Sequence, residues 1–160
     1  MKSIILVTGA STGIGKLSAR TLAQSGHIVY ASMRDLIGRN AAAVRELREF
    51  AKSHKVDLRP LELDVQSQAS ADRAVETIYQ EHGRLDVVMH NAGHLVVGPA
   101  EAFTPEEIMR SFDVNVLGSQ RVNRAVLPRF RAQQSGLLLW TGSTCWTSTT
   151  PAPRTAKAYD

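Results

Sequence analysis

The sequence predicts an open, doubly wound parallel sheet in a three-layer α/β/α arrangement. Three observations predict it. Five β-rich apolar runs alternate with segments of helical spacing along the 160 residues, an order that favours parallel strands joined by crossover helices. Several of these runs are nearly continuous in apolar residues, as strands buried on both faces require. The first run also passes directly into a glycine-rich turn that opens the first helical segment. In such sheets ligands sit at the carboxyl ends of the strands, near the switch in strand order.

The elements follow in order. The first strand is read at 3–9 (SIILVTG) and the second at 27–32 (HIVYAS). The segment AAAVRELREFAKSH places Val44, Leu47, Phe50 and Ala51 on one helical stripe. The third strand is read at 57–64 (DLRPLELD) and the fourth at 85–90 (LDVVMH). The segment TPEEIMRSFDVNV then starts a helix with Thr104 as N-cap, Pro105 at the first helical position and Glu107 closing a capping box. A fifth strand is read at 136–142 (GLLLWTG). From Thr144 onward, five threonines and two prolines in seventeen residues read as loop. The expected division is therefore a domain over 1–143 and a divergent, loop-like or partly disordered tail over 144–160.

Composition narrows the function classes. A chain of this size can bury roughly 68–70% of its unfolded surface, so one core is feasible. Cys145 is the only cysteine, which excludes an internal disulfide and fits a reducing compartment. Its most economical role is small packing residue, since no base is apparent beside it. The apolar run before Thr8 is too short for a signal peptide or a membrane span, so a cytoplasmic location without membrane association is expected. Lys and Arg outnumber Asp and Glu by 19 to 15. The basic residues are scattered, so nucleic acid is not an expected partner; a mildly basic surface suits an anionic ligand. His90 and His94 stand four apart without a third ligand in view, and no metal is expected.

The turn TGASTGIG (8–15) carries Gly9, Gly13 and Gly15. Two readings stay open from the residues alone. One is a cradle in which backbone approaches a pyrophosphate at a helix N-terminus. The other is a tight strand-to-helix turn with no ligand.

Here the chain resembles the short-chain dehydrogenase/reductase family, whose glycine motif is T-G-x-x-x-G-x-G. Asp64 in LELDV, HNAG (90–93), Asn115 in FDVNVLG and Ser143 after GLLLWTG follow in the family's order. His90 replaces the first asparagine of the family's N-N-A-G. The resemblance implies a Rossmann-type sheet. It implies cofactor contacts from Gly9, Ser11, Thr12, Gly13, Ile14, Gly15, Asp64, Val65, Asn91, Ala92 and Gly93. Asp64 would lie beside the adenine, or cap the following helix, or both.

Arg34 at the end of the second strand, with Lys16 after the glycine motif, favours the 2′-phosphate of NADP, with NAD as the second candidate. Asp35 either cancels Arg34 or points away. The alternative for Arg34, less favoured, is a solvated surface residue.

The resemblance also implies hydride transfer between nicotinamide and an alcohol or carbonyl substrate. In the family a tyrosine is the general acid, a lysine four residues later lowers its pKa and holds the nicotinamide ribose, a serine orients the carbonyl, and an asparagine holds a water. Ser143 and Asn115 match the last two roles. The tail RTAKA aligns Lys157 with the lysine, which puts Pro153 at the tyrosine position. Alternatively Tyr159 is the acid, and its lysine falls at a position beyond 160. Neither alignment gives an intact pair within residues 1–160.

The resemblance then implies a truncated or frameshifted member lacking its last strands, with GLLLW at a sheet edge and the helix that usually pairs subunits cut, so that a homo-oligomer would have an incomplete interface. The alternatives are a remnant that only binds the dinucleotide, or a non-enzymatic interaction protein. The stretch GPAEAFTPEEIMRSFDVNVLGSQRVNRAVLPRF resembles members acting on steroid-like, retinoid-like or other apolar carbonyl compounds.

Overall fold

The computed structural model describes residues 2–142. Five parallel strands, β1 (Ile4–Val7), β2 (Ile28–Met33), β3 (Leu58–Glu62), β4 (Val87–His90) and β5 (Leu137–Trp140), form one sheet in the order β3-β2-β1-β4-β5. Each strand was expected where it lies. The helices are α1 (Gly13–Gln24), α2 (Ala41–His54), α3 (Gln68–His82), α4 (Pro105–Phe112) and α5 (Gly118–Ala132), with a 3-10 turn at Ala100–Ala102. The fold is the three-layer, Rossmann-type arrangement that the strand–helix alternation predicts.

Strand periodicity divides the core. Side chains alternate across a strand, so Ile4 and Leu6 join Tyr30, Val88 and the apolar stripes of α3 and α5 on one face. Ile5 and Val7 join Val29, Ala31 and Met33 against α1 and α2 on the other. Val44 and Leu47 of the predicted α2 stripe are buried there, and Phe50 and Ala51 pack on its margin. Among the described residues β5 is an edge strand, and Leu137, Leu139 and Trp140 are about half exposed. No helix of the described residues is long and apolar enough to cross a membrane.

The capping box forms as predicted: Thr104 N–H donates to Glu107 Oε2 (2.9 Å) and Glu107 N–H to Thr104 Oγ1 (3.2 Å). The helix it starts is interrupted, however. A π turn spans Asp113–Leu117 between α4 and α5, and Asn115 lies within it. Such π bulges expose backbone and re-aim side chains, and they recur at functional sites.

At the amino end of the sheet a polar network ties α3 to β2 and β3. The Tyr30 hydroxyl donates to Glu81 Oε2 and lies 2.8 Å from His82 Nε2, and Arg59 bridges Glu81 and Asp57. Burial, reinforced by Glu81, raises the Tyr30 pKa, so its phenol stays a donor.

Candidate functional site

β1 and β4 are neighbours, but the chain reaches β4 only after leaving β1 for β2 and β3 on the other side. The cleft at their carboxyl ends is the switch point, the usual ligand site of such sheets. Thr8 organises it. This residue is 1% exposed. Its Oγ1 donates to Met89 O (3.3 Å) and accepts the N–H groups of Asn91 and Ala92 (both 3.0 Å). Asn91 Nδ2 answers by donating to the carbonyls of Thr8 and Gly9 (both 3.0 Å). The two strand ends are thus clasped by side-chain amide and hydroxyl groups in addition to the backbone bond from Thr8 N–H to Met89 O (3.0 Å).

The glycines fit into this clasp. Gly9 has φ +66°, and a Cβ there would lie 2.6 Å from Ala92 Cα. A Cβ on Gly15 would overlap Asn91 Nδ2 and lie 2.5 Å from Gly9 O, so α1 can approach the sheet only with glycine at this position. Gly13 differs. It has φ +55°, yet a Cβ there would meet nothing within 4 Å. Its side faces open space.

α1 begins beside that space. Its N-cap Thr12 makes no side-chain cap hydrogen bond, and its first turn holds no acidic residue. The first N–H groups of a helix need partners from outside it, and its positive dipole end favours an anion. An uncapped N-terminus beside an open glycine turn therefore fits a pyrophosphate. Ser11 is half-buried, while Thr12 and Ile14 are exposed beside the same opening.

The turn after β2 carries Arg34. Its guanidinium hydrogen-bonds Gln66 Oε1 (3.4 Å). Asp35 points away from it: the Asp35 carboxylate accepts the N–H groups of Gly38 (2.9 Å) and Arg39 (2.7 Å). Those two bonds, that from Arg39 first, hold the Asp35 pKa below the ordinary value. Lys16 does not join Arg34. Its ammonium pairs with Glu46 on α2 (3.1 Å), which also takes Arg20 (2.8 Å).

Asp64 and Val65 follow β3. The cap reading of Asp64 is corrected: Ser67 caps α3, accepting from Ser70 N–H (3.3 Å). Asp64 Oδ1 instead accepts from Gln66 N–H (3.0 Å), closing a local turn. Val65 packs on Gly118, whose Cβ would stand 3.0 Å away, and its carbonyl accepts from Arg121.

Asn115 reaches out of the π turn to the segment after β4. Its Nδ2 donates to His94 O (2.9 Å) and its Oδ1 accepts from His94 N–H (2.8 Å). Gly93 lies under it; a Cβ there would come 3.3 Å from Asn115 Oδ1. The amide clasps the loop, rather than satisfying the kink of its own helix. Beside it, Val96, Phe103, Ile108, Phe112 and Val116 line an open, mostly apolar groove of about 400 Å³. Ser143, Lys157, Tyr159, Pro153 and Cys145 lie outside the described residues.

His90, the departure from the family's asparagine, is 4% exposed and stacks on Trp140 with ring centroids 4.9 Å apart. Its Nε2 is 2.9 Å from Asn123 Oδ1. An amide oxygen only accepts, so Nε2 carries the proton. Burial lowers the His90 pKa, against the raising effect of the Asn123 bond. The unfolded chain therefore binds a proton before the folded one does, and stability falls as the pH drops below about 6.5, the unperturbed imidazole value. His90→Asn is expected to flatten the dependence of the unfolding midpoint on pH between about 6.5 and 5. Parallel profiles for parent and variant would show that another group carries it.

The comparisons agree with this geometry. A sequence model described as short chain dehydrogenase matches residues 3–153. A 3-ketodihydrosphingosine reductase of Bacteroides thetaiotaomicron is 36% identical over 136 residues, covering 85% of this chain and 45% of that protein. Human 17-beta-hydroxysteroid dehydrogenase type 1 is 38% identical over 147 residues, covering 89% and 43%. The chain thus spans less than half the length of these two relatives. An alcohol dehydrogenase from the archaeon Thermococcus sibiricus, solved in complex with 5-hydroxy-NADP, superposes with a TM-score of 0.75 at 28% identity, covering 88% of this chain and 57% of that one.

Proposed function

This chain belongs to the short-chain dehydrogenase family, and from that premise we propose that its switch-point cleft binds NADP(H) in an oxidoreductase acting on an alcohol or carbonyl compound. The observation that carries the reading is the uncapped N-terminus of α1 beside the open face of Gly13. Gly9, Ser11, Thr12, Gly13, Ile14 and Gly15 would hold the pyrophosphate. Asp64 and Val65 would border the adenine, and Asn91, Ala92 and Gly93 would line the cleft between β1 and β4. NADP is favoured over NAD because Arg34 keeps a neutral amide, not a carboxylate, as its partner, while Asp35 is engaged by backbone. The similar Thermococcus enzyme was solved with an NADP derivative.

When bound, the nicotinamide supplies or accepts the hydride. The chain's own residues bind, orient and handle protons. Asn115, which fixes the loop at His94, is proposed to hold the proton-relay water, Ser143 to orient the substrate oxygen, and Lys157 or Tyr159 to serve at the proton-transfer position by the two alignments of the tail. The apolar groove beside Asn115 supports an apolar substrate of the kind acted on by the hydroxysteroid relative.

Thermal unfolding with and without nucleotide tests the reading. NADPH at 100 times its dissociation constant should add about 2.7 kcal/mol of stability. Arg34→Ser should weaken NADPH binding about 10- to 100-fold, the range expected for loss of a charge-assisted hydrogen bond, with NADH unaffected. No stabilisation by either nucleotide would sink the site. Equal losses for NADPH and NADH would sink the NADP assignment alone.

A further inference from the structure

Arg34 projects from a turn whose shape is set by an acid on another strand. Glu62, the last residue of β3, accepts the N–H groups of Asp35 (2.7 Å, Oε1) and Leu36 (3.0 Å, Oε2). Asp35 sits at φ +50°, a left-handed conformation that aspartate tolerates better than most non-glycine residues and that the local hydrogen bonds here hold in place. The Asp35 carboxylate is then tied to Gly38 and Arg39, and Asn40 Nδ2 donates to Arg34 O. Even the space is committed: a Cβ on Gly38 would lie 2.6 Å from Asp35 Oδ2. One carboxylate within the turn that bears Arg34 and one against it, on β3, thus each accept two backbone N–H groups.

We propose that Glu62 is a positioning residue for cofactor choice, because its clamp on the Asp35 and Leu36 N–H groups holds the turn in the one shape that leaves Arg34 free of carboxylates and open to a 2′-phosphate. This rests on the NADP reading of Arg34. Releasing the clamp lets Asp35 leave its left-handed conformation, and its carboxylate, the nearest in sequence, becomes available to neutralise Arg34. The proposal has a sign that simple electrostatics reverses. Glu62 is itself an anion near the binding point of a phosphate. If its only influence were charge, removing it would tighten NADPH binding. If it positions Arg34, removing it weakens NADPH binding and spares NADH.

Dissociation constants for NADPH and NADH, and for 2′,5′-ADP and 5′-AMP, which differ by the 2′-phosphate alone, should be measured on the full chain. The variants are Glu62→Ala, Glu62→Gln and Arg34→Ser. The expected result for Glu62→Ala is about tenfold weaker NADPH and 2′,5′-ADP binding with unchanged NADH and 5′-AMP binding. Glu62→Gln keeps one acceptor and should fall between. A second readout needs no nucleotide: amide exchange at Asp35 and Leu36 should accelerate in Glu62→Ala. If Glu62→Ala is poorly folded, Glu62→Gln decides by the same sign. If Arg34→Ser loses the preference for the 2′-phosphate while both Glu62 variants keep or increase it, the positioning role is overturned and the NADP reading stands. If the parent shows no preference, or Arg34→Ser retains it, the NADP reading itself is overturned, and the role of Glu62 falls with it.

Discussion

Gly13→Val is expected to abolish nucleotide-induced stabilisation while leaving a folded chain. The two effects separate because of where Gly13 sits. Its φ of +55° makes any side chain there strained, at about 1–2 kcal/mol. A new Cβ meets no protein atom within 4 Å, so packing is unharmed and the fold should survive with a modestly lower unfolding midpoint. The valine would instead fill the space beside the N-terminus of α1, where the pyrophosphate must approach backbone. Unfolding with and without NADPH reads both effects. The parent should gain about 2.7 kcal/mol at 100 times the dissociation constant, and the variant should gain none. Undiminished stabilisation would refute the glycine turn as the binding site. Gly9→Val makes a useful contrast, because its Cβ would collide with Ala92 and should damage the fold itself.

Thr8→Val should carry the largest stability loss of any near-isosteric change at the site. Valine keeps the volume of threonine and removes only the hydroxyl. The N–H groups of Asn91 and Ala92 then lose their acceptor in a part-buried setting, and each unsatisfied group costs toward the lower end of about 1–3 kcal/mol. Met89 O is not orphaned, since Thr8 N–H also donates to it (3.0 Å). A loss of about 2–4 kcal/mol is expected, a large part of the roughly 5–15 kcal/mol that holds a domain folded. Thr8→Ser retains the hydroxyl and should recover most of it. Denaturant unfolding of the two variants would decide. If valine were as stable as serine, the clasp between β1 and β4 would not depend on Thr8.

Much of the fold was legible because its signals are local. Runs such as IILV and VVMH read as buried strands without knowledge of their neighbours, and the Thr104–Glu107 box is a relation between residues three apart. The glycine turn was legible for the same reason, whereas the cofactor contacts proposed for Gly9 to Gly15 rest on the family resemblance. The π turn at Asp113–Leu117 was not, because its residues carry helical spacing on both sides and nothing local marks the insertion. Thr8 escaped as a site-organising residue, since a threonine at a strand end is common. Its role appears only when β4 arrives beside β1.

The sequence by itself determined the strand–helix alternation, the parallel sheet, the capping box and the glycine turn, because each depends on periodicity or on backbone freedom within a few residues. Tertiary structure alone decided the partners. It paired Lys16 with Glu46, turned Asp35 onto backbone, set Glu62 beneath Arg34's turn, clasped His94 with Asn115 and placed Asn123 under His90. These pairings often join residues tens of positions apart. A side chain's hydrogen-bond partner is fixed by which elements dock beside it, and no local pattern encodes that choice.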